Sequence, residues 1–243
     1  MKRVKIIISV IIIFLFSGRI FSNTEFGENI QKISKDTIIE RNNPKSLDLS
    51  KHQIFIDTTR NSEFYKKLKN WTKSELDIKE ITNSSKKHNV RFPKKLINLK
   101  IIPNYFISLR KLNNEFILYD RCDGIEQRYE ITENLFVIYG TFETEVHSIS
   151  KIIQTSKEKI ELELNSYKSK SEFQKSFLKI EKISEYIYKM SFQNENLKIS
   201  KYLTNWNKIE KFNLVVNHCP KMKMSEFGKF DGMKKTELIE IEK

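Results

Sequence analysis

Apolar and polar residues alternate along much of the chain beyond residue 104, as they do in half-buried β-strands. The alternation is clearest on two strand faces, one carrying Ile160, Leu162 and Leu164 and the other Tyr186, Tyr188, Met190 and Phe192. About ten short segments of this kind follow one another at spacings of roughly ten residues, separated by short polar turns. The pattern predicts a mainly β protein, in which residues 104–217 form an antiparallel meander.

A meander of this length must protect its edge strands, either by closing into a barrel or by folding into a sandwich. The turns are short and evenly placed, without the long crossovers of a Greek key, so they favour a barrel-like, lipocalin-style arrangement over a sandwich. A transmembrane barrel fits less well, because the strands are short and the aromatic girdles are missing. We therefore expect a barrel-like sheet that does not span a membrane.

One or two short helices are expected ahead of the meander. Phe64, Leu68 and Trp71 recur at i, i+4 and i+7, which is the spacing of one helical face. A second, weaker helical pattern follows, with Leu76 and Ile81 facing inward. The chain then divides into a signal peptide (1–22), a polar and poorly ordered lead (23–50), short helices and a connector (51–103), the antiparallel β domain (104–217) and a charged C-terminal tail (218–243).

The first 22 residues have the three zones of a secretory signal peptide. Lys2, Arg3 and Lys5 precede an apolar core at Ile6–Phe16, and a small, polar stretch follows. This core is too short to cross a hydrocarbon layer of ~30 Å, which requires roughly 20 residues. The best cleavage position follows Ser22. An uncleaved anchor is the alternative and is the only membrane contact expected, so we predict an extracytoplasmic protein, either periplasmic or secreted.

The net charge of +13 is a weak argument for a nucleic-acid partner. Without the four basic residues of the signal segment, 40 basic and 31 acidic residues remain, a balance of +9. The chain contains no alanine and is rich in Lys, Ile, Asn and Phe, a bias typical of A/T-rich codons. Its lysines also alternate with glutamates, as on an ordinary solvated surface. We expect no nucleic acid among its partners.

Two cysteines, Cys122 and Cys219, both lie in the exported part of the chain. An even number of cysteines in an oxidising compartment predicts one structural disulfide. Closing a loop of about a hundred residues stabilises a fold by about 4–5 kcal/mol in the chain-entropy model. His218 beside Cys219 suggests a Cys–His nucleophile instead. However, neighbours in a strand point to opposite faces, and the disulfide uses the same sulfur.

Sequence signatures of common enzyme classes are missing from the chain. It has no Gly-rich phosphate loop, no His-Glu-x-x-His, no paired Cys-x-x-Cys and no Gly-x-Ser-x-Gly elbow. Glu143, Glu145 and His147 share one face of a strand and are residue types that ligate divalent metals. The same alternation, with Phe142 and Val146 facing inward, is also that of an ordinary exposed strand. We expect no catalytic residue, no metal and no cofactor.

The aromatic strand face formed by Tyr186, Tyr188, Met190 and Phe192 is the candidate binding site. In a barrel such a face can line a pocket for a small apolar or amphipathic ligand, or it can simply fill the core. The sequence therefore predicts an exported, non-catalytic, barrel-like binding module. Its partner is a small apolar ligand or an envelope protein. The alternative is a structural or protein-interaction module of the cell envelope with a filled core.

Overall fold

The computed structural model describes residues 39–41, 48–87, 103–167, 173–220 and 227–232. The predicted signal peptide and most of the predicted polar lead lie outside the described residues. Most of the connector before residue 103 and much of the charged tail lie outside them as well. None of the described helices is long and apolar enough to cross a membrane.

The described chain contains the strands β1 (Ile39–Arg41), β2 (Gln53–Asp57), β3 (Tyr105–Leu112), β4 (Glu115–Asp120), β5 (Arg128–Ile131), β6 (Leu135–Tyr139), β7 (Thr144–Thr155), β8 (Lys159–Tyr167), β9 (Phe173–Lys182), β10 (Ile187–Gln193), β11 (Lys198–Asn205) and β12 (Asn213–His218). Two α-helices, α1 (Glu63–Lys69) and α2 (Glu75–Lys87), precede β3, and a 3₁₀ helix (Trp206–Lys211) precedes β12.

Eight of these strands close into an antiparallel barrel. The strands β5 to β11 pair in chain order as a meander, and β3 closes the ring by pairing with β11 on one side and β5 on the other. The closing pairs with β5 are Tyr105–Glu130, Phe106–Tyr129 and Ile107–Arg128. The predicted mainly β fold, its meander and its barrel-like closure are confirmed. A closed sheet leaves no free edge around the ring.

A second sheet extends from the barrel because β3 divides its pairing. The first residues of β3 pair with β5, whereas its last three residues, Arg110, Lys111 and Leu112, pair with β4. The extension continues in the order β4, β12, β2 and β1. The β12–β4 and β1–β2 pairs are parallel, which an alternating pattern cannot reveal, because strand direction leaves no mark on the period.

The barrel interior is occupied by one cluster of buried side chains. Its members come from the ring strands and are Phe106, Tyr129, Ile131, Phe136, Ile138, Ile149, Ile160, Leu162, Leu164, Leu178, Ile180, Tyr188, Met190, Phe192 and Leu203. Each fully buried Leu, Ile or Phe side chain contributes about 1.5–3 kcal/mol. The alternating positions of the predicted strands therefore correspond to a filled interior.

The α-helices pack on the outside of the sheets. Ser62 caps α1 by accepting a 3.3 Å hydrogen bond from the Tyr65 amide, and Tyr65 and Leu68 are the buried residues of that helix. The second helix, α2, covers the outer face of β6 and β7, where Ile81 and Trp71 pack against a small buried cluster. The cluster consists of Leu135, Val137, Tyr139 and Val146. The two predicted helices are confirmed. All of β6 is buried, and in β7 the buried residues run from Val146 to Ile149.

Candidate functional site

The two cysteines follow neighbouring parallel strands. In the β12–β4 pair, Val216 lies opposite Asp120, so the carboxyl ends of both strands point the same way. Cys122 and Cys219 come shortly after these ends, and they lie at disulfide distance with their Cα atoms 5.3 Å apart. The predicted pairing is therefore confirmed in the geometry, and neither thiol is free.

Three of the four predicted ligand-binding residues lie together inside the barrel. Tyr188, Met190 and Phe192 are buried members of the interior cluster. Tyr188 packs edge-on against Phe106, with ring centroids 5.2 Å apart. Tyr186 lies elsewhere, against the second core formed by α1, the 3₁₀ helix and the extension. The face that the sequence presented as continuous is thus divided between two hydrophobic cores.

A short polar chain lies among the apolar side chains at one end of the barrel. The Nδ1 atom of His147 is 2.8 Å from the Ser166 hydroxyl, which is 2.7 Å from the Ser176 hydroxyl. His147 is only 6% exposed and lies between the rings of Phe136 and Phe192. These hydrogen bonds satisfy His147 Nδ1 and the two buried hydroxyls, whereas His147 Nε2 is buried without a hydrogen-bond partner among the described residues.

The structure brings together only two of the three candidate metal ligands of the β7 region. Glu143 lies in the turn before β7, whereas Glu145 and His147 are on the strand, with Oε2 and Nε2 3.7 Å apart. In the described ranges no group of three or more His, Cys, Asp and Glu side chains is placed to hold a metal ion. The expected inward direction of Phe142 is wrong, because this residue lies in the β6–β7 turn and is 92% exposed.

A buried network attaches the start of α2 to the barrel. The Glu130 carboxylate accepts hydrogen bonds from the hydroxyls of Tyr105 and Tyr139, and Lys73 forms a 2.7 Å ion pair with it. Burial opposes the charge of Lys73, yet the hydrogen bond to Glu130 and the charge of its carboxylate outweigh burial and raise the pKa of Lys73. Glu130 is itself buried. This ion pair holds the segment before α2 against the outer barrel wall.

A second contact orients the segment between α1 and α2. The Arg128 guanidinium lies 4.6 Å from the ring centroid of Trp71 and 5.2 Å from that of Trp206. Arg128 is buried, and burial lowers its pKa to about 10, although Asp120 and Glu126 act in the opposite direction. Cation–π contacts of this kind are stronger when desolvated. They fix Trp71 in its position beside α2.

Hydrogen bonds stabilise the N-terminus of α2, both within its first turn and to the start of β7. The Asp77 carboxylate accepts hydrogen bonds from the amide of Ser74 at 2.7 Å and from its hydroxyl at 2.8 Å, and the Asp77 amide donates to the Ser74 hydroxyl at 3.1 Å. This is a capping box. The hydroxyl of Thr144 at the start of β7 also donates to Asp77. The helix is therefore anchored at its first turn.

A surface groove separates α2 from the loops that end β6 and precede β5. It has a volume of about 670 Å³ and is lined by Trp71, Ser74, Leu76, Asp77, Lys79, Glu80, Asn83, Ile125, Gly140, Thr141, Phe142, Glu143 and Thr144. We call this set the helix groove. Leu76, expected to face inward, is 76% exposed there. Two large apolar side chains, Leu76 and Phe142, are thus presented to solvent at one site.

One wall of the helix groove is built by a close approach of two loops. Gly124 has φ +101°, and a Cβ at this position would lie 2.2 Å from the Thr141 side chain. Thr141 in turn accepts a 3.1 Å hydrogen bond from the Ile125 amide and donates to the Ile125 carbonyl at 3.2 Å. The loop that carries Cys122 is therefore fixed to the β6–β7 turn.

The net charge of the helix groove is negative, opposite in sign to the net charge of the chain. Its lining includes three acidic residues, Asp77, Glu80 and Glu143, and one basic residue, Lys79, whereas the chain has a net charge of +13. Burial raises the pKa of Asp77, but the hydrogen bonds from Thr144 and Ser74 outweigh this effect, and the pKa is lowered overall. The groove is an acidic and apolar patch on a basic protein.

Comparisons with known proteins give no assignment. No protein-family model matches the chain, and neither the curated proteins nor the solved structures give a significant match. Sequence reasoning missed the helix groove because its apolar residues, Leu76 and Phe142, were attributed to the core. The one available signal was the position of Phe142 directly after Gly140-Thr141, where a turn interrupts the strand pattern.

Proposed function

We propose that this chain is an exported, non-catalytic protein-interaction module that binds its partner at the helix groove. The observation that carries the proposal is the exposure of Leu76 and Phe142 beside one groove, at 76% and 92%. Large apolar side chains that are grouped on a surface and rimmed by polar residues mark interaction sites more often than single exposed ones do. The partner is a protein of the cell envelope.

The filled barrel favours this function over a carrier of small apolar ligands. Tyr188, Met190 and Phe192 belong to a continuous cluster of packed side chains, and a lipocalin-style carrier needs interior space that such a cluster occupies. The expected experimental result is a natively purified protein from which organic extraction releases no stoichiometric apolar compound. A bound compound at one equivalent would restore the carrier as the better proposal.

Export is supported by the sequence zones of residues 1–22 and by the cysteine pair. Disulfides persist in oxidising compartments, and Cys122 and Cys219 lie at disulfide distance. Cell fractionation followed by intact-mass analysis tests this part of the proposal. We expect the protein in the extracytoplasmic fraction with a mass that lacks residues 1–22. A full-length protein found in the cytoplasm would contradict it.

Site-directed crosslinking in cells tests the binding surface. A photoreactive phenylalanine analogue at Phe142 should yield a discrete crosslinked protein, because the side chain lies at the groove. Phe177 provides a matched control, since it is an exposed aromatic residue on β9, away from the groove. Discrete crosslinks at position 142 but not at 177 support the proposal. Equal yields at both positions, or none at either, would refute it.

A further inference from the structure

We infer that the helix groove binds an amphipathic segment of positive charge, contributed by another protein. This inference rests on the proposed function and adds the chemistry of the partner. It is carried by two features that coincide at one place, an excess of carboxylates in the lining and two exposed apolar side chains.

The negative charge of the helix groove favours a positively charged partner. Among the residues that the structure describes, Glu143 forms no ion pair, and Glu80 accepts only a hydrogen bond from Ser84. Lys79 is the one basic residue of the lining, so the groove has an excess of two negative charges. Exposed ion pairs contribute little to affinity. They nevertheless orient a charged partner and exclude partners of the same sign.

The apolar residues select a polypeptide over a small molecule. Pockets for small ligands are concave and cover most of the ligand, so their apolar lining is recessed. Leu76 and Phe142 instead are largely exposed, and a macromolecular surface is needed to cover them. An amphipathic helix with apolar residues at i, i+3 and i+4 presents a stripe that can contact both. Its flanking lysines or arginines would then lie against the acidic lining.

The rigid setting of the groove supports recognition of a preformed surface. The first turn of α2 is held by Ser74 and Thr144 through Asp77. The opposite wall is held by Thr141 and the loop of Gly124. A site whose walls are already fixed loses little conformational entropy when it binds. The anchors are therefore presented in a defined geometry.

The test uses two fluorescent peptides of about eighteen residues, long enough for roughly five helical turns. One has leucine and lysine at amphipathic helical spacing, and the other has glutamate in place of lysine. Their binding to the mature chain is measured by fluorescence anisotropy at low and high salt. We expect the leucine/lysine peptide to bind at least about tenfold more tightly than the leucine/glutamate peptide, with weaker binding at high salt.

Matched variants locate the binding site. Phe142→Ser and Glu143→Lys change residues in the β6–β7 turn. Each should lower the affinity for the leucine/lysine peptide about tenfold or more. Phe177→Ser and Glu195→Lys are the controls. Glu195 lies in the β10–β11 turn, and in either direction around the ring two strands separate this turn from β6 and β7. Neither control should change the affinity by more than about twofold.

The outcomes separate the inference from the proposed function. If both peptides bind equally and Phe142→Ser weakens the binding of both, the groove is a binding surface, but the inferred positive charge of the partner is wrong. Self-association in sedimentation velocity that Phe142→Ser abolishes would likewise replace the partner by a second copy of this chain. If peptide binding is insensitive to Phe142→Ser, or is lost equally in the controls, the inference is refuted. The crosslinking at Phe142 then decides the proposed function independently.

Discussion

Glu130 is buried beneath the segment that leads into α2 and accepts hydrogen bonds from the hydroxyls of Tyr105 and Tyr139. Lys73 balances its charge at 2.7 Å. A buried carboxylate is tolerated only when it is paired and hydrogen-bonded, and here all of its partners come from different parts of the chain. Single side chains therefore join the helical segment to the barrel.

Alkaline pH should destabilise the protein through its buried tyrosines. Burial raises the pKa of Tyr65 and Tyr129, and burial together with the hydrogen bond to Glu130 raises the pKa of Tyr139. In the unfolded chain tyrosine loses its proton near pH 10. Between that pH and the higher folded values the native state holds more protons, so the free energy of unfolding falls as pH rises. Urea denaturation at pH 8 and pH 11 measures this, and equal midpoints would contradict it.

Gly124→Ala should be more costly than Gly232→Ala. Both glycines have positive φ, +101° and +82°, but only at Gly124 would the new Cβ meet a side chain, that of Thr141 at 2.2 Å. The backbone strain of about 1 kcal/mol is common to both variants. A steric cost of roughly 1–3 kcal/mol is added at Gly124 alone. Thermal and urea unfolding of the two variants would show the difference, and equal losses would argue against the close loop contact.

The helix α2 is attached at its N-terminus and along one face. Ser74 and Asp77 form the capping box, Thr144 binds Asp77, and Ile81 packs on the outer face of β6 and β7. The remaining part of the first turn is exposed, and Leu76 lies there. An amphipathic helix that is held at one end in this way fixes one wall of the helix groove.

Removing the Asp77 side chain should destabilise more than removing the Thr144 hydroxyl. Asp77→Ala breaks the capping box and the contact with β7 together, with an expected cost of about 2 kcal/mol. Thr144→Val removes only the contact, with an expected cost of about 1 kcal/mol. Urea unfolding followed by circular dichroism compares the two. An Asp77→Ala variant no less stable than Thr144→Val would show that the capping box contributes nothing measurable.

The elements of the barrel were predictable, whereas the side-chain directions near β7 were not. Val146 and His147 are neighbours in a strand and therefore lie on opposite faces. The alternation predicts that Val146 faces the interior and that the face with His147 is exposed to solvent. In the structure Val146 lies under α2 and His147 lies inside the barrel, because a helix covers the outer face. A covered strand is buried on both faces, and its period cannot identify which face is the interior. The direction of Phe142 was predicted wrongly because β7 begins only at Thr144, so the strand alternation does not extend to residue 142.

At the scale of the whole molecule, the disulfide connects the extension to the helix groove. Cys219 follows β12 of the extension, and Cys122 belongs to the loop that reaches Thr141 through Gly124. The barrel-like closure was predicted because short, evenly placed turns favour a barrel over a sandwich. The extension was not, since β3 divides its pairing between β5 and β4, a feature of tertiary structure that no local pattern encodes.

Replacing both cysteines by serine should lower the free energy of unfolding. The two residues are separated by 97 positions, and loops of that length correspond to about 4–5 kcal/mol of stabilisation in the chain-entropy model. Urea unfolding of the double variant measures the loss. Thiol labelling of the unfolded, non-reduced parent protein should find no free thiol. Full labelling of both cysteines would contradict the bridge.

The central claim is that this barrel binds at its outer surface and not in its interior. An NMR titration of the mature, isotope-labelled chain with the leucine/lysine peptide tests it most directly, because every residue reports separately. We predict shift changes confined to residues 71–83, 124–125 and 140–144, around Leu76 and Phe142. Changes concentrated instead on the interior residues Leu162, Ile180 and Met190, with none at the helix groove, would contradict the account.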